Sequence, residues 1–246
     1  MRTLLGPRGC PWDKEQTFES LRPFVIEEAF EVVDAIDGGD PNALREELGD
    51  LLYQIVFQAE IARAKGLFGM DEIIDTIKEK MIRRHPWVFG DEEIGSESAE
   101  ARWEEVKARE RREAGTLSGV PLALPALLRA TRVSEKAAAV GFDWSDAEGA
   151  RRKIDEELRE VDESETKEQL ESEIGDLLFA VTSFARHRGI DPEAALRGTI
   201  DRFTRRFAVM ERDVEAEGRS LKALDDAELD AAWEAAKSKL RATKNE

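Results

Sequence analysis

The stretch EELGDLLYQIVFQAEIARAKGLF, residues 46–68, returns in altered form as SEIGDLLFAVTSFARHRGI at 172–190. Each copy opens on two acids three residues apart, continues as an apolar row, and stops at a glycine, Gly66 or Gly189. In the first copy and just before it, Leu44, Leu48, Leu51, Leu52, Ile55 and Ala59 recur at the spacing of one helix face. Outward from this stretch the two halves keep matching in order. KMIRR (80–84) answers RFTRR (202–206), WEEVK (103–107) answers WEAAK (233–237), and upstream CPWD (10–13) lies opposite GFDW (141–144). Matches kept in order over a whole half indicate duplication of one unit, not chance similarity between charged helices.

Helical periodicity covers 17–37, 42–65, 71–84 and 96–114 in the first half and 148–164, 166–188, 191–217 and 225–240 in the second. Gly38-Gly39 ends the first of these, Pro86 the third, and Asp191-Pro192 opens the seventh as N-cap and first helical residue. The expected fold is all-α, with one helical repeat over 1–115, a second over 129–246, and a linker at 116–128. The linker follows from the Gly- and Pro-rich run AGTLSGVPLALP at 114–125.

Composition narrows the function. The 246 residues are 37% charged, with a formal net charge of −17. No basic field exists to draw in nucleic acid or an anionic membrane, so neither is an expected partner. Cys10 is the single cysteine, which rules out an intrachain disulfide and fits a reducing compartment. There is no run of apolar residues long enough for a signal peptide or a membrane span, and the expected location is the cytoplasm.

Acids this numerous are mostly solvated surface, so their placement decides. On the helix at 17–37, Glu28 falls inside the arc formed by Leu21, Phe24, Val25, Val32, Ala35 and Ile36, and Glu31 lies on its border. On the next helix Glu47, Asp50 and Gln54 make a polar seam beside the core stripe. In the second half Glu157 and Glu160 flank Ile154, Leu158 and Val161, while Glu173 and Asp176 lie one turn apart on the following helix. Residues at i and i+3 share a face, so antiparallel packing would bring four carboxylates together in each half. Four close anions in a partly apolar cleft conflict unless a cation intervenes. An all-oxygen set suits Mg²⁺ or Mn²⁺, and with two histidines and one cysteine in the chain a zinc site is disfavoured.

EEAFE (27–31) with EELGD (46–50), and EELRE (156–160) with SEIGD (172–176), resemble the doubled acidic signature of the MazG nucleoside triphosphate pyrophosphohydrolases. GCPWD, RRHPWVFGD (83–91) and SGVPLALPALLRA (118–130) are similar to the tandem members of that family. The resemblance implies four-helix-bundle units completed by dimerisation, hence a homodimer. It implies Mg²⁺-dependent hydrolysis of NTPs and dNTPs to monophosphate and pyrophosphate, with broad base specificity and a housekeeping role in the nucleotide pool. Carried over residue by residue, the metal ligands are Glu28, Glu31, Glu47 and Asp50, then Glu157, Glu160, Glu173 and Asp176, with Mn²⁺ as a substitute ion. Glu28 or Glu157 is the candidate catalytic base. Lys80, Arg84, Trp103 and Lys107, then Arg202, Arg206, Trp233 and Lys237, are the expected substrate contacts. Trp12 and Trp144 are expected to pack the entry segment of each repeat. Two other readings stand beside this one: a pyrophosphatase restricted to damaged or dUTP-like nucleotides, and a metal-binding helical scaffold in which one or both repeats are non-catalytic.

Overall fold

Short polar side chains and glycines set the helix limits, and those limits set the architecture. The computed structural model describes residues 1–91, 102, 106 and 115–242. The first half contains two single-turn helices, α1 (Arg2–Leu5) and α2 (Pro11–Lys14), three long ones, α3 (Phe18–Gly38), α4 (Pro41–Ala64) and α5 (Met70–Arg84), and a closing turn, α6 (Pro86–Phe89). The second half contains α7 (Ala126–Ala138), α8 (Ala147–Glu163), α9 (Lys167–His187), α10 (Pro192–Ala216), a 3-10 turn at Leu221–Ala223, and α11 (Asp226–Ala242). Among the described residues there is no β-strand. The chain divides into two compact units, Met1–Glu110 and Arg111–Glu246.

The caps are chemical. Thr17 accepts from the Ser20 amide and Ser20 answers at the Thr17 amide, a reciprocal pair that starts α3. Gly39, at φ 72°, supplies the left-handed residue that ends it. Asp40 then caps α4 with Pro41 in its first turn, so α3 and α4 turn back on each other. The second unit repeats the device with Asp146 capping α8 and a Thr166–Gln169 pair starting α9.

In the first unit α3 packs along α4, and α4 adjoins α5. Leu21, Phe57 and Ile61 form the buried core of this hairpin, with Met1, Leu5, Phe18 and Phe24 closing around it. Full burial of side chains this size is worth about 1.5–3 kcal/mol each. In the second unit α8 packs along α9, α7 lies on α9 and α10, and α11 lies on α10. The acid signatures fix the correspondence between halves at 129 residues for α3 and α8 and 126 for α4 and α9. In that register Ala150 replaces Leu21, Ser183 replaces Phe57 and His187 replaces Ile61. Small side chains, with Ala150, Thr182 and Ser183 fully buried, leave room for α7 to approach, and its Ser134 is buried too.

The helical, duplicated character expected from the sequence is what the structure shows. Helix α7 is an addition: it starts inside the stretch read as a linker, immediately after Pro125. The expected helix at 96–114 lies, apart from Arg102 and Val106, outside the described residues. Among the described residues no helix is long and apolar enough to cross a membrane.

Candidate functional site

Antiparallel pairing of α3 with α4 sets one i, i+3 acid pair against the other. One oxygen each from Glu28, Glu31 and Glu47 falls within 4.8 Å of the others. Asp50 stands outside that triad, but its charge acts on both Glu28 and Glu47. Burial, reinforced by Glu31 and Asp50, makes Glu28 hold its proton more tightly than an ordinary glutamate. Glu47 is pushed the same way, by burial first and then by Glu31 and Asp50. One turn beyond Asp50, Gln54 is buried, and its Nε2 donates to Glu28 Oε1 at 3.5 Å.

The second unit brings together more acids. Glu157, Glu173 and Asp176 form one triad, and Glu156, Glu157 and Glu160 form another, sharing Glu157. Glu157 is 2% exposed, and its Oε2 has no hydrogen-bond partner among the described residues. Its other oxygen lies 2.6 Å from Lys153 Nζ, which also reaches Glu156 at 2.7 Å. Lys153 is held firmly protonated by hydrogen bonds to Glu156 and Glu157, and Glu156 is correspondingly lowered by Lys153. Glu160 is raised, by burial and then by the neighbouring Glu157. In the first unit the position of Lys153 is Phe24.

The structure therefore gathers Glu28, Glu31 and Glu47, and Glu157, Glu160, Glu173 and Asp176, as the spacing implied. Glu156 and Lys153 join this group beyond the residues that the acidic spacing marks. Their only signal was i, i+3 and i, i+4 charge spacing, which this chain shows in many places.

The basic and aromatic candidates stand on neighbouring elements. Lys80 and Arg84 lie one turn apart near the end of α5. Arg202 is exposed on α10 and donates to Thr199 Oγ1 at 2.7 Å, with Arg206 one turn further on. Trp233 on α11 rests against Phe203, ring centres 5.1 Å apart, and Phe203 stacks on Phe207 at 6.0 Å. Lys237 pairs with Glu234 at 2.8 Å. Trp103 and Lys107 lie outside the described residues. Trp12 meets Phe24 edge-on at 6.0 Å. Trp144 covers Gly149 so closely that a Cβ there would stand 2.8 Å from the indole Cδ1.

Neither histidine belongs to these acid groups. His85 Nδ1 is 2.7 Å from the Met81 carbonyl, and His187 Nε2 is 3.1 Å from Asp143. What remains is oxygen, anionic and crowded, with a buried carboxylate oxygen that lacks a partner. Such a donor set fits a hard divalent cation, which would relieve the crowding and satisfy that oxygen.

Comparison with known proteins identifies the family. The chain matches the MazG nucleotide pyrophosphohydrolase domain over residues 16–89 and 150–208, so each unit carries one segment. It is 44% identical over 239 residues to the nucleoside triphosphate pyrophosphohydrolase/pyrophosphatase MazG of Thermotoga maritima, covering 96% of this chain and 92% of that protein. It is 41% identical over 247 residues to the nucleoside triphosphate pyrophosphohydrolase of Escherichia coli K12, covering 96% and 94%. A crystal structure of a mazG-related protein from Thermotoga maritima aligns with 41% of this chain and 88% of its own, at 35% identity and a TM-score of 0.35. With the acids of both hairpins inside the matched segments, the chain belongs to the MazG nucleotide pyrophosphohydrolase family.

Proposed function

We propose that the protein hydrolyses nucleoside triphosphates, ribo- and deoxyribo-, to the monophosphate and pyrophosphate in a Mg²⁺-dependent reaction with broad base specificity. Mn²⁺ is the expected substitute, and clearing the cytoplasmic nucleotide pool is the role that fits. The observation that carries this is Glu157: a buried carboxylate with one oxygen unpartnered, in a triad with Glu173 and Asp176. Both relatives are named nucleoside triphosphate pyrophosphohydrolases, which supports the reaction class.

In this reading Glu28, Glu31, Glu47 and Asp50, and Glu157, Glu160, Glu173 and Asp176, hold the cation. When bound, Mg²⁺ neutralises triphosphate charge and polarises a phosphoryl oxygen. Glu28 or Glu157 accepts the proton of the attacking water. Lys80 with Arg84, and Arg202 with Arg206, offset charge on the departing pyrophosphate. Trp103 and Trp233 are assigned to the base, since an indole stacks on any base, and Lys107 and Lys237 to the phosphates.

A homodimer is part of the proposal. Each hairpin presents an apolar row to solvent: Leu48, Leu52 and Ile55 at 49%, 52% and 41% exposure on α4, and Ile174, Leu178 and Val181 on α9. Two such hairpins face to face make a four-helix bundle.

The test offers each of the common NTPs and dNTPs with Mg²⁺ and detects monophosphate plus pyrophosphate as against diphosphate plus phosphate. Glu47→Gln with Glu173→Gln abolishes pyrophosphate release, and each substitution alone reports on one unit. Full activity in the double variant overturns the proposal.

A further inference from the structure

We propose that Gln54 is an additional oxygen ligand of the first unit's cation, turning its amide toward the ion when the ion is present. This rests on reading Glu28, Glu31 and Glu47 as a cation site.

Gln54 is 6% exposed, and its Oε1 is buried with no hydrogen-bond partner among the described residues. A buried amide oxygen left unpaired costs about 1–3 kcal/mol. The amide is directed into the acid cluster, since its Nε2 donates to Glu28 Oε1 at the long distance of 3.5 Å. The terminal torsion of glutamine is soft and roughly two-fold, so a half-turn exchanges the nitrogen and the oxygen in place. Oε1 would then stand where Nε2 now stands, and the amino group would take the buried place of Oε1, so the bond to the ion has to outweigh an unpaired donor there. Two ligands at adjacent corners of a Mg²⁺ octahedron with ~2.1 Å bonds are about 3.0 Å apart, so the exchange needs only a small inward shift. Amide oxygens are ordinary ligands for hard cations. The amino group suits a neighbouring carboxylate, and the carbonyl suits a cation.

The second unit answers the same crowding differently. At the position of Gln54 it has Ala180, 3% exposed, and the matching layer of α8 supplies the ammonium of Lys153 where α3 supplies Phe24. One unit carries a fixed cation beside its acids. The other carries a neutral amide that can serve a mobile one.

The experiment measures Mn²⁺ binding by electron paramagnetic resonance on the full chain without nucleotide. Glu173→Gln with Asp176→Asn is the background, so that the first unit is read alone. In that background Gln54→Leu, which keeps the buried volume, weakens binding about tenfold. Gln54→Glu, which keeps an oxygen ligand but cannot donate, binds at least as tightly as glutamine. Unchanged affinity in Gln54→Leu overturns the inference. Weakened affinity in Gln54→Glu also overturns it, since that result marks Gln54 as a donor that only positions Glu28. Glu47→Gln in the same background separates the two levels: if it leaves Mn²⁺ binding intact, the acid site itself is misassigned. Melting in chelator shows whether each variant is folded before binding is compared.

Discussion

Replacing Asp143 by asparagine should destabilise the second unit at neutral pH and cease to matter in acid. Asp143 Oδ1 accepts from the Trp144 backbone amide at 2.9 Å and from Arg186 Nη2, and lies 3.1 Å from His187 Nε2. The residues span the turn before α8 and the end of α9, so one carboxylate ties the two ends of the hairpin together. Side-chain exposure is 21% for Asp143, 17% for Arg186 and 13% for His187, although Asp143 as a whole residue is exposed, so water screens the group in part. Burial works against the anion, but hydrogen bonds from Arg186 and His187 outweigh it and hold Asp143 below the usual carboxylate range. Asparagine still accepts from Trp144 but leaves Arg186, whose Nε already lacks a hydrogen-bond partner, without its counter-charge. A hydrogen bond to a charged group is worth about 1.5–3 kcal/mol. The loss is therefore about 2 kcal/mol, or about 7 °C of melting temperature in a unit this size. The sign with pH follows from the lowered value. The carboxylate's contribution is complete above its unfolded pKa, near 3.9, and drains away as pH falls through the lower folded pKa. Thermal melts of both proteins, followed by tryptophan emission at pH 7 and at about pH 3, test this. A difference below about 1 °C at pH 7, or a gap that keeps its size in acid, would refute the reasoning.

Two further outcomes are expected. Gly149→Ala places a Cβ 2.8 Å from Trp144 Cδ1 and 3.0 Å from its Cβ, inside the fixed part of the side chain. Overpacking of this kind costs about 1–3 kcal/mol, read as a lower urea midpoint, and an unchanged midpoint would mean that Trp144 is free to swing aside. Lys153→Met removes the ammonium 2.6 Å from the buried Glu157. The metal-free protein should melt earlier than wild type, and Mg²⁺ should raise its melting temperature by more than it raises the wild type's. Equal Mg²⁺ increments would show that Lys153 and the cation do not act on the same charge.

The long helices were legible because they carry a 3.6-residue apolar period and chemical boundaries such as Gly39 after α3 and Asp191-Pro192 before α10. Helix α7 escaped because its start is masked by the Gly- and Pro-rich run ahead of it, and Pro125 reads as a breaker although it serves as the N-cap. The acid face was legible from i, i+3 spacing in both halves. The charge balance of the site was not. Nothing in the local pattern distinguishes Lys153, which neutralises Glu157, from Lys78, which pairs with Asp75 on the surface; the difference lies in the burial of the partner, 3% against 59% of the side chain exposed. Gln54 showed as part of a polar seam. Its burial shows only once α3 closes over it.

Two similar hairpins in one chain pose a sorting problem while the protein folds. The acid registers do not solve it, because α3 could set its glutamates against α9 as well as against α4. The layer beneath them does. Leu21 and Phe18 laid on α9 would meet Ser183 and His187, setting against hydrocarbon an imidazole that now reaches Asp143, and Ala150 laid on α4 would leave Phe57 facing a methyl group where it now meets a leucine. The exchange of Leu21, Phe57 and Ile61 for Ala150, Ser183 and His187 thus acts as a pairing code, penalising crossed partners that would otherwise trap the duplicated chain.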